Sequence, residues 1–203
     1  MSYRTIAHMD LTRHDVRKDL NDRDFLHKRL MSMYPDGLGD NARQAINLLF
    51  VANPDNGQIL FQSDVLPVLD ASSDFCDGYF TRVITKPTED TTCFINGDVV
   101  SFQFWMAAQE RSTATGKRVD LSNEQAVAHK AVQLLARAGL DVSDIDVVGW
   151  QTIQSARRKV GYKNAELTGT GIVTNHSKLK KAISIGLGSG RLWGSGVLVV
   201  SVD

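Results

Sequence analysis

The chain has 203 residues, 42% of them apolar, which suits one large domain or two compact ones. It has no run of about 18 apolar residues to cross a membrane, and its N-terminus MSYRTIAHMD lacks the charged-then-apolar layout of a secretion signal, so a cytoplasmic globular protein is expected. Lys plus Arg and Asp plus Glu number 23 each, and this neutrality, taken alone, argues against nucleic acid; Cys76 and Cys93 are too few for a disulfide framework or a four-thiolate zinc site and read as buried thiols.

Residues 3–10 read as a first strand, followed by a charged connector from Arg13 to Asp22. A helix is expected from about Asp22 to Tyr34, where Phe25, Leu26, Leu30, Met33 and Tyr34 share a face and Pro35-Asp36-Gly37 stops it. Two apolar runs, Ala45–Ala52 and Gln58–Val65, flank Asn53-Pro54-Asp55-Asn56-Gly57 and read as a hairpin. After a poorly structured stretch over Leu69–Gly78, Tyr79–Lys86 reads as another strand. The order then recurs. A turn at Asn96-Gly97 leads into a strand ending near Ala107, and Asn123–Ala138 is a periodic helix closed by Gly139. Strands are expected at Ile145–Ser155, Lys163–Val173 and Val197–Val202, with a short helix at His176–Ser184. The expected fold is therefore α+β, two tandem ferredoxin-like βαββαβ domains resembling RNA-recognition motifs, with the second helix of the first domain degraded. The expected domains are 1–90 and 91–203, packed rigidly because no flexible linker separates them.

The neutral charge conceals a division. Residues 151–203 carry eight basic side chains against Glu166 and Asp203, a net +6, whereas residues 1–150 carry 15 basic against 21 acidic, a net −6. A local basic surface is what phosphate contact requires. Arg157, Arg158, Lys159 and Lys163 surround Gly161-Tyr162 at the expected tip of a β-hairpin, where guanidinium and ammonium groups could reach a nucleic-acid backbone. By default such a charge run is a solvated turn; the basic surroundings favour RNA or DNA contact.

Gly186-Leu-Gly188-Ser-Gly190-Arg191-Leu-Trp193-Gly194-Ser-Gly196 holds five glycines in eleven residues. Such a loop lets a second backbone approach, as phosphate-cradling loops do, although a tight turn is the plain alternative. It satisfies neither G-x-G-x-x-G nor the P-loop pattern, so dinucleotide and P-loop binding are not expected. His27 lies beside the apolar face of the first helix, with Asp24 one turn earlier at the spacing that could orient the ring. A lone histidine is usually structural, yet one near physiological pKa can exchange a proton during phosphodiester cleavage. His8, His14, His129 and His176 have no ligand-type spacing, so no metal site is expected.

Together these segments resemble the CasE (Cse) family of CRISPR RNA-processing endoribonucleases, subunits of type I-E Cascade. The likeness runs through Phe25-Leu-His-Lys-Arg-Leu30 with Met33-Tyr34-Pro35, Leu60-Phe-Gln-Ser-Asp-Val-Leu-Pro67, Gly97–Phe104, Gly116-Lys-Arg-Val119, Gly169-Thr-Gly-Ile-Val-Thr174, Ile185–Gly188 and Trp193–Gly196. The resemblance implies binding of the repeat hairpin of precursor CRISPR RNA and cleavage without metal or other cofactor. His27 would be the catalytic histidine, acting as the 2′-oxygen attacks the adjacent phosphate to leave a 2′,3′-cyclic phosphate and a 5′-hydroxyl. Arg157, Arg158, Lys159, Lys163, Gly186, Gly188 and Arg191 would contact RNA, and other Cascade subunits would be partners. Three places depart from the family pattern: Asp24 stands where some members carry tyrosine, Arg191-Leu-Trp193 replaces the signature's lysine–aromatic stretch, and Ala107-Ala108-Gln109 stands where the family has Ala-Asn-Pro. The alternatives are a non-catalytic RNA-binding subunit of a CRISPR effector complex and, from fold order alone, a small-molecule-binding protein. RNA is expected mainly on the second half, reaching His27 at the edge of the first.

Overall fold

The computed structural model describes residues 2–39, 41–68, 77–88, 93–155 and 159–202. In chain order the elements are β1 (Tyr3–Met9), α1 (His14–Asn21), α2 (Arg23–Met31), α3 (Ala42–Ala45), β2 (Leu49–Ala52), β3 (Gln58–Ser63) and β4 (Phe80–Pro87). They continue as β5 (Val99–Ala107), β6 (Gln109–Arg111), β7 (Arg118–Asp120), α4 (Glu124–Arg137), β8 (Leu140–Ser155), β9 (Val160–Val173), α5 (His176–Ile185), a 3₁₀ turn (Arg191–Trp193) and β10 (Val197–Val202).

Two four-stranded antiparallel sheets result, ordered β2-β3-β1-β4 and β10-β5-β9-β8. Both share one strand order, and the second half shows the full βαββαβ winding, which makes the chain an α+β protein of tandem ferredoxin-like units, as expected. The small β6–β7 hairpin is an addition between β5 and α4.

Strand alternation divides most of the apolar residues among three cores, with a smaller cluster at Ala107, Ile153 and Tyr162. Phe50 and Ala52 of β2 and Ile59 and Phe61 of β3 pack beneath α1 and α2 with Val16, Leu20, Leu26 and Leu30. In the second half, Phe102, Phe104 and Met106 of β5 and Leu198 and Val200 of β10 pack against Val127, Ala131 and Leu135 of α4 and Leu179 and Ile183 of α5. The residues between them, Leu49 and Val51 on β2 and Val197 on β10, join Leu60, Trp105 and Val199 in a third cluster that clamps the sheets together. Complete burial of such side chains contributes about 1.5–3 kcal/mol each, so the buried Leu49, Val51 and Val197 hold the two halves edge to edge. Gln62 adds a buried bond across it, its Nε2 donating to the Ile183 carbonyl at 3.0 Å.

The structure corrects several sequence readings. The charged connector is helix α1, whose Val16, Asp19 and Leu20 turn inward. The helix expected over 22–34 spans only Arg23–Met31, capped by the Asp22 carboxylate accepting from the Asp24 N–H. Part of the apolar run at 45–52 belongs to α3, and β8 begins at Leu140, five residues early, since its exposed face carries Asp141 and Asp144. Cys93 is exposed, contrary to the buried pair expected; Cys76 and most of the degraded-helix stretch lie outside the described residues. Among the described residues, no helix is long and apolar enough to cross a membrane.

Candidate functional site

Helix α2 holds His27 where the two halves meet. Leu26 and Leu30 fix one face of the helix in the first core, which leaves His27 half-buried at the side. Its ring centroid is 6.4 Å from that of Phe50, tilted 45°, and its Nε2 is buried. One turn earlier, the Asp24 carboxylate reaches into the second half. Its Oδ2 accepts from the Ser155 hydroxyl at the end of β8, and its Oδ1 accepts from Trp193 Nε1 at 3.2 Å in the 3₁₀ turn. A single carboxylate therefore gathers the helix of His27, the tip end of the basic hairpin and the glycine-rich loop.

Next to it, Arg23 is 2% exposed. Its Nη2 donates to the Ala52 carbonyl at 3.3 Å, an oxygen that Gln151 Nε2 also reaches at 2.9 Å. Nε and Nη1 of Arg23 find no hydrogen-bond partner among the described residues, and burial pushes the guanidinium down to about 10. A buried cation so sparsely compensated is costly and uncommon.

Between α1 and the end of the β8–β9 hairpin runs an open groove of about 890 Å³, lined by His14, Arg17, Lys18, Phe25, Ser155 and Lys159 among others. His14, Arg17 and Lys18 are exposed on the face of α1 opposite Val16 and Leu20, because residues three and four apart share a helix face. These three were missed by the sequence reading, which took the segment as a connector; their spacing was the available signal. Lys159 faces them from the hairpin tip in a left-handed conformation with φ 51°. Arg157 and Arg158 lie outside the described residues. Lys163 departs from the cluster: it pairs with Thr152 within the hairpin and sets its ammonium 5.9 Å from the centre of the Trp150 ring.

The glycine-rich loop is built onto its own chain. The Tyr162 and Ser195 hydroxyls are 2.9 Å apart, the Ser195 hydroxyl donates to Asn164 Oδ1 at 2.8 Å, and Asn164 Nδ2 donates to the Gly194 carbonyl at 3.0 Å. A Cβ at Gly190, where φ is +78°, would fall 2.5 Å from the Tyr162 hydroxyl, and one at Gly186 would meet the Gly196 carbonyl at 2.9 Å. Close self-approach thus accounts for glycines that a simple turn would not need. Gly188 is exposed at the loop's outer side, and the exposed Arg191 donates through Nη1 to the Ile185 carbonyl at 2.9 Å, closing the end of α5.

Comparison with known proteins gives a consistent result. Residues 3–201 match the sequence model of the family described as CRISPR associated protein. No curated protein matches the chain. Among solved structures, CRISPR endoribonuclease Cse3 bound to a 19 nt RNA superposes with a TM-score of 0.83 at 20% identity, over 99% of this chain and 100% of that one. Thermus thermophilus Cse3 bound to an RNA representing a pre-cleavage complex gives 0.83 at 19% identity over 98% of each chain. A chain of a CRISPR RNA-guided surveillance complex gives 0.65 at 14% identity over 100% of each. At these identities the solved structures show a shared fold.

Proposed function

Since the chain belongs to the family of the CRISPR associated protein, we propose that it is a CasE-type CRISPR endoribonuclease that binds the repeat stem-loop of precursor CRISPR RNA and cuts it beside His27. The observation that carries this reading is the meeting of three segments at Asp24, next to a groove lined by Arg17, Lys18 and Lys159. Proteins of the same fold have been solved with RNA bound, which supports the same class of ligand.

In the reaction the ribose 2′-oxygen attacks the neighbouring phosphorus, the bond from phosphorus to the 5′-oxygen breaks, and a 2′,3′-cyclic phosphate and a 5′-hydroxyl result. His27 takes the 2′-hydroxyl proton or supplies one to the leaving 5′-oxygen, a role imidazole fills near neutral pH. Lys159, Arg157, Arg158 and Lys163 hold phosphates of the stem, whose deep, narrow major groove hides its bases and leaves shape and backbone as the handles. Arg191 and the backbone at the exposed Gly188 approach the same RNA, while the buried Gly186 serves the loop's own packing. No metal or cofactor takes part, and the matured guide RNA passes to Cascade, in which this chain is a cytoplasmic subunit.

The test is cleavage of a labelled repeat hairpin in EDTA by the wild type and His27→Ala. Wild-type cleavage to a product with a cyclic phosphate, lost in the variant, is the expected result. Equal cleavage by the variant would remove His27 from the mechanism, EDTA inhibition would overturn metal independence, and tight binding without product would make the chain a guide-RNA-holding subunit.

A further inference from the structure

Phe25 is 44% exposed, an unusual position for a phenylalanine on a helix whose Leu26 and Leu30 are fully buried. It opens onto the groove of about 890 Å³ described above. The Lys18 ammonium stands 4.7 Å from its ring centroid, a cation–π contact over one face. Arg17 neighbours Lys18 on α1, and Lys159 stands on the opposite wall. The lining carboxylate of Asp22 is engaged in capping α2. An exposed flat ring set among cations is the combination that binds unpaired nucleotides, with the ring stacking on the base and the cations taking the phosphates. A paired base within an A-form stem cannot present its face, so the occupant must lie outside the stem.

We propose that Phe25 is a stacking platform for one unpaired nucleobase flanking the repeat stem, with Arg17, Lys18 and Lys159 holding the phosphates on either side of it. The proposal rests on the endoribonuclease reading and adds a subsite to it. Phe25 lies two residues before His27 on α2 and points to the opposite side of the helix, so a base held here anchors the RNA strand across the helix from His27. Stacking is tolerant of base identity, so the platform contributes affinity and register more than sequence choice.

The experiment uses the full chain and a repeat hairpin made uncleavable by a 2′-deoxy substitution at the scissile nucleotide, with 2-aminopurine placed in turn at each unpaired flanking position. Binding of the wild type should change the fluorescence at one position, and Phe25→Ala should abolish that change and weaken binding about tenfold, within the range of a single base–aromatic stack. Phe25→Trp should restore both. A hairpin trimmed of its flanking nucleotides should bind wild type and Phe25→Ala alike. Wild-type binding of the flanked hairpin with Phe25→Ala within about twofold, below what one stack contributes, would overturn the platform and leave the endoribonuclease reading standing. Failure of the wild type to bind any repeat hairpin would overturn both.

Discussion

Asp24 is the residue whose replacement should do most to separate the parts of the site. Its two carboxylate oxygens accept from Ser155 and Trp193, which lie 131 and 169 residues away in sequence. A hydrogen bond to a charged group contributes about 1.5–3 kcal/mol, so Asp24→Ala should cost about 3–5 kcal/mol, allowing for the partial exposure of Trp193. Asp24→Asn keeps one oxygen for the indole and can donate from its amide to the Ser155 hydroxyl, so about half of that loss should return. Urea unfolding of both variants measures the difference, since the midpoint moves while the slope stays constant if only stability changes. Single-turnover cleavage measured well below the unfolding midpoint then tells whether the folded Asp24→Ala protein still presents hairpin and histidine together. The expected order is wild type, then Asp24→Asn, then Asp24→Ala in both assays. A loss under about 1 kcal/mol in Asp24→Ala, less than a single such bond, would refute the view that this carboxylate joins the halves.

Three further outcomes follow from the geometry. Arg23→Met removes a buried cation with two nitrogens lacking partners while Gln151 keeps the Ala52 carbonyl bonded; stability by urea unfolding should stay level or rise by about 1–2 kcal/mol, and a fall of that size would mean the guanidinium is compensated. Gly190→Ala places a methyl 2.5 Å from the Tyr162 hydroxyl in a left-handed backbone and should cost about 2–4 kcal/mol, whereas Gly188→Ala meets only Leu134 Cδ1 at 3.4 Å and should cost about 1 kcal/mol. Burial pushes the Tyr34 hydroxyl up to about 12, above the roughly 10 of an unfolded tyrosine. Its contribution is therefore intact below pH ~10 and lost as pH rises towards ~12, so thermal melts of Tyr34→Phe should decline less steeply over that window.

Legibility in the sequence followed the range of the interactions concerned. α4 was readable because Asn123 caps it through the Ala126 N–H and its apolar stripe repeats along one face. β5 alternates so regularly that its core residues follow from period two alone, and β10 was readable as a short continuous apolar run. α1 was hidden because its buried face holds only Val16 and Leu20 among apolar residues. The third inward residue, Asp19, is satisfied from afar by the Tyr79 hydroxyl at 3.0 Å and by Arg29 at 3.5 Å. The β6–β7 hairpin, with three-residue strands and an exposed Val119, carries no apolar pattern. At the site, His27 and Lys159 were visible as residue types, but the bonds of Asp24 were not, because sequence spacing reports only neighbours within a turn. The glycine loop suggested phosphate cradling, and its close fit to Tyr162 and Asn164 depends on partners some thirty residues away.

Charge shows most clearly why the whole-chain balance misleads. Residues 1–150 have a net charge of −6, yet the groove wall they supply is basic. The acids nearest that wall are committed elsewhere: Asp15 and Asp77 bind Arg13 at 2.9 and 3.2 Å, Asp19 binds Arg29 and Tyr79, Asp22 caps α2, and Asp24 bonds Ser155 and Trp193. Arg13 in turn holds the Asp15 carboxyl down at about 2, so that acid stays paired across the neutral range. Each pairing sets a carboxylate against a cation or donor, Asp24 against donors of the second half, and Arg17 and Lys18 remain exposed at the groove. Ionic interactions between exposed charges fade beyond about 8 Å in physiological salt, so a phosphate arriving there responds to Arg17, Lys18 and Lys159 and hardly to acids on distant faces. The described cations at the groove therefore come from both halves, Arg17 and Lys18 from the helix concealed by its high charge and Lys159 from the hairpin the sequence singled out.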